Sequence, residues 1–498
     1  MAFNSLKFLI FFPIVVLIYY CIPRRIKQTW LLIVSYFFYM CWNALYVLLI
    51  LSSTVITFIS GILMEKFEYS DKSNDERIRL KKWIVSGSLV INLGILFFFK
   101  YLNFSTDIIQ DIFSVFGMHL NIPKFDIILP VGISFYTFQA LGYTMDVYRG
   151  EINAEKNFLR YALFVSFFPQ LVAGPIERSK NLLGQLEEPK EFSFSRAVDG
   201  FMLMLWGYFL KLVLADRIAV YVDTVYDDPA GFPGVYLVVA TIMFAFQIYC
   251  DFAGYSTIAM GAAKILGVNL MENFNAPYLA GTVSEFWRKW HISLTSWFKD
   301  YLYIPLGGSR KGNMRKNCNR MIVFLASGLW HGADLSYVVW GGLNGLYQMI
   351  GEILSPIRNR IVSLLHLNRD SLGHRILHVA GTFVLIDFSW IFFRANGLSE
   401  ACRIISSMIH VRNPWILFDG SMYSCGLDEK NFGLILISIL ILFIADFCKT
   451  KSICIRDVIL QQDLWFKCIF ISVAINFILL FGMWGPSFNR MNFIYFQF

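Results

Sequence analysis

MIVFLASGLWHGADLSYVVW, Met321 to Trp340, is an apolar run that opens directly after a strongly basic loop and carries a single histidine, His331. If the run is a membrane helix entered at Arg320, His331 lies eleven residues inside it. At about 1.5 Å per residue this is roughly 16 Å deep, near the midplane of a ~30 Å hydrocarbon core. An ionisable side chain is costly at that depth and by default carries a functional reading. The competing reading is a packed histidine bonded to a backbone carbonyl.

Composition sets the solvent. Of 498 residues, 57% are hydrophobic and only 16% charged, with 49 Phe and 13 Trp, too little polar surface to cover a water-soluble body. The chain therefore reads as all-α and polytopic in a lipid bilayer. The formal charge of +8 fits basic cytoplasmic loops and not a nucleic-acid partner. The nine cysteines form no CxxC pair, and Cys21, Cys41, Cys250 and Cys468 lie in apolar runs, so they read as packed thiols and not as a disulfide framework or zinc site. The other histidines show no ligand spacing, and no metal is expected.

Residues 28–64 carry no charge, and such a stretch, roughly 55 Å as one helix, is nearly twice what one crossing needs. Two helices with a turn near Asn43 are predicted. Their basic flanks (Arg24, Arg25 and Lys27, then Lys66 to Lys82) belong in the cytoplasm, so the turn faces out. The first run, Phe8 to Ile22, has its basic residues behind it, which turns the N-terminus outward and does not fit a cleaved signal peptide. Further spans are readable around 83–100, 127–147, 158–175, 197–214, 235–263, 321–350, 376–393, 431–446 and 464–485, giving an expectation of ten to twelve helices in one membrane domain, 1–498. Pro130, Pro169, Pro175 and the glycines around His331 interrupt spans. Irregular backbone at membrane depth is tolerated where it lines a cavity, so a central tunnel is expected. No internal repeat is evident, which weakens a transporter reading.

The segment SEFWRKWHISLTSWFKDYLYIPLGGSRKGNMRKNCNR, Ser284 to Arg320, has a different pattern. Phe286, Trp290, Leu294, Trp297 and Tyr301 recur at helical spacing, with Ser284, Arg288, His291, Thr295 and Lys299 on another face. An amphipathic helix at the cytoplasmic membrane surface is predicted, with His291 at the mouth and His331 at the centre of one passage. Its basic residues suit either anionic headgroups or a charged donor substrate.

Long motifs in one order give the chain a resemblance. FNSLKFLIFFPIVVLIYY from Phe3, FFPQLVAGPIER from Phe167, QIYCDFAGYSTIAMGAAKILGVNLMENFNAPY from Gln247, FWRKWHISLTSWFKDYLYIPLGG from Phe286, GLWHGADLSYVVWGGLNG from Gly328, FSWIFFRA from Phe388 and the terminal FIYFQF run almost end to end. The chain resembles the membrane-bound O-acyltransferases, in the bacterial subgroup that O-acetylates extracellular polysaccharides such as alginate and peptidoglycan. The resemblance implies that His331 is the catalytic histidine and His291 the second family histidine. It also implies a polysaccharide acceptor, a separate extracytoplasmic acetyltransferase partner and a bacterial cell-membrane location.

The chemistry of the residues agrees with this. Acyl transfer from a thioester to a hydroxyl needs a base, and a buried neutral imidazole suits that role. Asp251 and Asp334 are polar groups in apolar surroundings that could orient an imidazole, although helix-to-helix hydrogen bonding is the alternative for Asp251. Ser336 and Tyr337 are candidates to line the same cavity. The GGSRKG loop, Gly307 to Gly312, offers Arg310 and Lys311, and the preceding segment Arg288 and Lys289, to the phosphates of acetyl-CoA or another acyl thioester; it lacks P-loop spacing, and no bound cofactor is expected. With Lys449, Lys451 and Arg456 cytoplasmic, the last helix carries the C-terminus outward, where Tyr495 is a candidate acyl carrier or an interfacial anchor. Two alternatives stand beside the acetyl-transfer reading: D-alanyl transfer to teichoic acid, and non-enzymatic transport of a polysaccharide precursor.

Overall fold

A computed structural model of the chain describes residues 1–484 apart from positions 119, 121, 128 and 173; Tyr495 lies outside the described residues. Among the described residues there are helices and no strands. The chain packs as two compact units, one formed by Met1–Met204 with Ile258–Met271, the other by Leu205–Thr257 with the chain from Glu272 onward.

In the first unit the uncharged stretch divides as its length requires, into Arg24–Met40 and Tyr46–Glu68. In the turn between them, Asn43 accepts the Leu45 N–H at 3.0 Å. Ser5 and Ser73 cap their helices by accepting the N–H three residues on. Buried side chains fasten the helices to one another: Ser53 donates to Asn92 at 2.6 Å and Tyr161 to Thr57 at 2.7 Å, the kind of polar contact that holds helices together where hydrophobicity gives no preference. The expected span over 158–175 is broken, into Phe158–Ser166 and Phe168–Leu171 with Pro169 in the first turn of the second piece.

The second unit takes in most of the helix Val235–Ile265, its residues up to Thr257. Of that helix's apolar window 72% is buried in the protein, against 6% for Leu464–Phe481, whose large side chains point outward. Among the described residues, seven helices are long and apolar enough to cross a bilayer, and Leu6–Cys21 and the broken stretch Phe158–Leu171 are shorter apolar segments. The expected single span over 321–350 is two helices, Gly312–His331 and Leu335–Ile353, folded back on each other at Gly332–Asp334.

Candidate active site

Glycine makes that hairpin. A Cβ on Gly328 would lie 2.2 Å from the Tyr337 carbonyl oxygen, and one on Gly341 would lie 2.3 Å from that of Phe324, so the two helices touch backbone to backbone. At the bend, a Cβ on Gly332 would fall 2.0 Å from the Tyr337 ring. Asp334 then caps the returning helix by accepting the Ser336 N–H at 2.7 Å. Its carboxylate thus serves the bend. Ser336 is buried in the first turn after the cap. Tyr337 packs on Gly332 and meets Phe393 edge-on at 5.2 Å.

His331 is the last residue of the outgoing helix and is 4% exposed. Three aromatic rings stand around its imidazole: Trp330 at 4.9 Å, Trp340 at 5.1 Å and Phe393 at 5.3 Å between centroids. Tyr337 therefore shares Phe393 with His331.

The predicted amphipathic helix is broken at the histidine it was expected to display. Val283–Lys289 ends as Trp290 N–H bonds to Phe286, Ile292–Phe298 begins anew, and a π-helical turn, Lys299–Tyr303, follows. His291 lies between the two helices with φ +44° and ψ +55°, a left-handed conformation rare for a residue with a side chain. Asn273 holds it there. Its carbonyl accepts the Ile292 N–H at 2.9 Å, its amide oxygen accepts the Ser293 hydroxyl at 2.6 Å, and its amide nitrogen donates to Ser256 at 3.1 Å. The Ser293 hydroxyl lies 3.5 Å from His291 Nδ1.

His291 is only 1% exposed, so it is not an open mouth. Its ring meets Phe252 edge-on at 4.6 Å and Trp330 at 6.0 Å. Burial drives its pKa well below the usual imidazole value, which keeps the ring neutral at neutral pH. The two histidines thus flank one indole, that of Trp330. Sequence reading paired them but missed the ring between them, although Trp330 stands next to His331 in the chain.

The remaining candidates fall elsewhere. Asp251 ion-pairs with buried Lys211 at 2.5 Å, and Lys211 also reaches Asp216 at 2.8 Å. Arg288 is exposed, and Lys289 pairs with Glu285 at 2.7 Å. In the glycine-rich loop, Gly307, Gly308 and Gly312 all have positive φ, and Asn319 donates to the Gly308 carbonyl at 3.0 Å. Arg310 and Lys311 stand exposed on that fixed turn. Lys316 and Arg320 both pair with Glu352.

Residues 152–379, which include both histidines, match the model of the membrane-bound O-acyltransferase (MBOAT) family. The chain is similar to a probable alginate O-acetylase of Pseudomonas aeruginosa, at 34% identity over 82% of this chain and 75% of that protein. It is similar to the peptidoglycan O-acetyltransferase of Helicobacter pylori at 29% identity, over 96% of this chain and 95% of that one. Similarity to the teichoic acid D-alanyltransferase of Bacillus subtilis, at 28%, covers 44% of this chain and 58% of that protein.

Proposed function

Because the chain belongs to the membrane-bound O-acyltransferase family, we propose that it takes an acetyl group from a cytoplasmic thioester, acetyl-CoA or another acyl thioester, and delivers it to the outer face of the cell membrane. There an extracellular or cell-wall polysaccharide is O-acetylated. The observation that carries the reading is the pair of buried histidines on one indole, inside the segment that matches the family. Two relatives similar over most of this chain are named for acetylation of alginate and of peptidoglycan, which supports acetyl as the group and a polysaccharide as the acceptor. The teichoic acid relative is similar over less than half of this chain, which favours acetyl over D-alanyl. As a family enzyme, the chain does not need the transporter reading.

His331 is the base. As the acceptor oxygen bonds to the thioester carbonyl carbon, the imidazole takes the hydroxyl proton; the C–S bond breaks and the imidazolium returns the proton to the leaving thiolate. Its aromatic surroundings exclude water, which favours transfer over hydrolysis of the thioester. His291 acts on the donor side, and exposed Arg310 and Lys311 meet the donor's phosphates. Tyr495 receives the acetyl group as an aryl ester and passes it to an extracytoplasmic transferase, with both termini on the outer side.

The test is transfer of radiolabelled acetyl from acetyl-CoA by the purified protein, repeated in cells by measuring acetate on the external polymer. Wild type should label and His331→Ala should not. Normal polymer acetylation by well-expressed His331→Ala overturns the base assignment, while labelling only from an aminoacylated carrier protein replaces acetyl by D-alanyl. Tyr495→Phe, which removes the accepting hydroxyl and keeps the ring, should lose both transfer from the thioester and external acetylation; wild-type acetylation would make Tyr495 an anchor only.

A further inference from the structure

Three charged side chains are buried together in the second unit. Lys211, Asp216 and Asp251 are each 2–3% exposed at the side chain, with Lys211 Nζ 2.8 Å from Asp216 and 2.5 Å from Asp251, and 5.3 Å from the centroid of the Tyr255 ring. Local backbone brings them together. Phe209–Ala215 is π-helical, and the Asp216 N–H bonds back to the Lys211 carbonyl, so the wider turn carries the carboxylate round to the ammonium. Opposite, a Cβ on Gly254 would lie 2.9 Å from the Gly207 carbonyl oxygen and 3.1 Å from the Lys211 nitrogen. No side chain separates these two backbones.

Breaking a buried ion pair by removing one partner is strongly destabilising, whereas replacing the whole set by apolar groups is often neutral. Such a set therefore has more to offer in fixing one geometry than in stability. Here the geometry it fixes is that of one helical turn. Asp251 and Tyr255 belong to the charged cluster, while Phe252 and Ser256 of the same turn serve the histidine: the Phe252 ring lies 4.6 Å from that of His291, and the Ser256 hydroxyl accepts from Asn273, which holds the His291 loop.

We propose that Lys211, Asp216 and Asp251 are positioning residues for His291: they lock the rotation and register of the 251–256 turn against the π-helical segment, and the turn transmits that setting through Phe252 and Ser256. The consequence for catalysis rests on the acyltransferase role proposed above, but the geometric claim does not.

The geometric claim is read by diethylpyrocarbonate modification of the full-length protein in detergent, with each histidine followed by peptide mass spectrometry. Wild-type His291 should react slowly, and Asp251→Asn should speed its modification at least threefold while exposed His410 is unchanged. Ser256→Ala, which alters no charge, should do the same and serves if Asp251→Asn does not fold. In acyl transfer, each single variant should lose roughly tenfold in kcat with little change in donor KM. The Asp251→Asn/Ser256→Ala double should be little worse than either single, because both act through one loop. An unchanged His291 rate in the folded variants, or activity losses that multiply in the double, overturns the proposal. Faster His291 modification with undiminished transfer would instead leave the positioning intact and remove His291 from the chemistry.

Discussion

His331 and His291 reach the same indole by opposite local means. His331 ends a regular helix, and its place is set by packing: the glycine crossing at 328 and 341, the bend at Gly332 and three surrounding aromatic rings. His291 interrupts a helix, and its place is set by hydrogen bonds that the Ile292 N–H and the Ser293 hydroxyl donate to Asn273, which hold an unfavourable backbone conformation. The glycine crossing and the bend are backbone contacts that do not involve the imidazole, so His331 can be replaced while they stand. The second arrangement is a network in which the strained residue and its supports depend on each other.

The contrast breaks first at His331. His331→Ala should cost 10²- to 10⁴-fold in acyl transfer, about what loss of a general base costs, with the folded protein retained in the membrane fraction. A mutant that loses expression along with activity would show that the ring is needed to hold the hairpin. Next is Gly328→Ala, whose added methyl meets a backbone carbonyl. About 1–3 kcal/mol of stability should be lost, and the melting temperature in detergent should drop, because only separation of the two helices relieves the contact. An unchanged melting temperature would mean that the crossing is not tight.

Asn273→Ala sharpens the other half. It leaves the Ser293 hydroxyl without its acceptor, costing about 1–3 kcal/mol locally, and should lower transfer far more than Asn319→Ala in the glycine loop does. The smallest effect is on acid stability. Burial lowers the His291 pKa from 6.5 to about 3, so the unfolded chain binds the proton and the folded one does not. The stability that burial of the neutral ring provides is present above about pH 6.5 and declines as pH falls toward 3. His291→Asn, which tolerates positive φ, should melt with a weaker dependence on pH between 6.5 and 4; an identical slope would remove His291 from the acid response.

The two halves also differed in how much their residues gave away. Helices set by length and charge were legible: residues 28–64 had to be two, and the turn falls where Asn43 predicted it. His331 stood out because a charged or ionisable group in an apolar run has few structural excuses. The hairpin at 332 was hidden because the apolar pattern continues through it, although Gly328, Gly332 and Gly341 were already conspicuous. The break at His291 was invisible because Phe286, Trp290 and Leu294 are all buried, so helical spacing survives the interruption. Its cause, Asn273, lies in a different loop, and no local periodicity points from one to the other. Lys211 was a signal overlooked: it is the one charge between Asp199 and Asp216.

Lys211 also bears on how the protein is made. A lysine or aspartate at the centre of a nascent membrane helix opposes insertion by about 2.5–3.5 kcal/mol each, and the stretch ending at Asp227 carries both Lys211 and Asp216. Their third partner, Asp251, is synthesised only after the short Asp228–Gly234 connection and half of the next helix. If the two helices enter lipid as one hairpin, the single ammonium is shared by both carboxylates before lipid surrounds them. Lys211→Leu, which leaves two buried carboxylates without their cation, should then lower the yield of inserted protein before any question of catalysis arises.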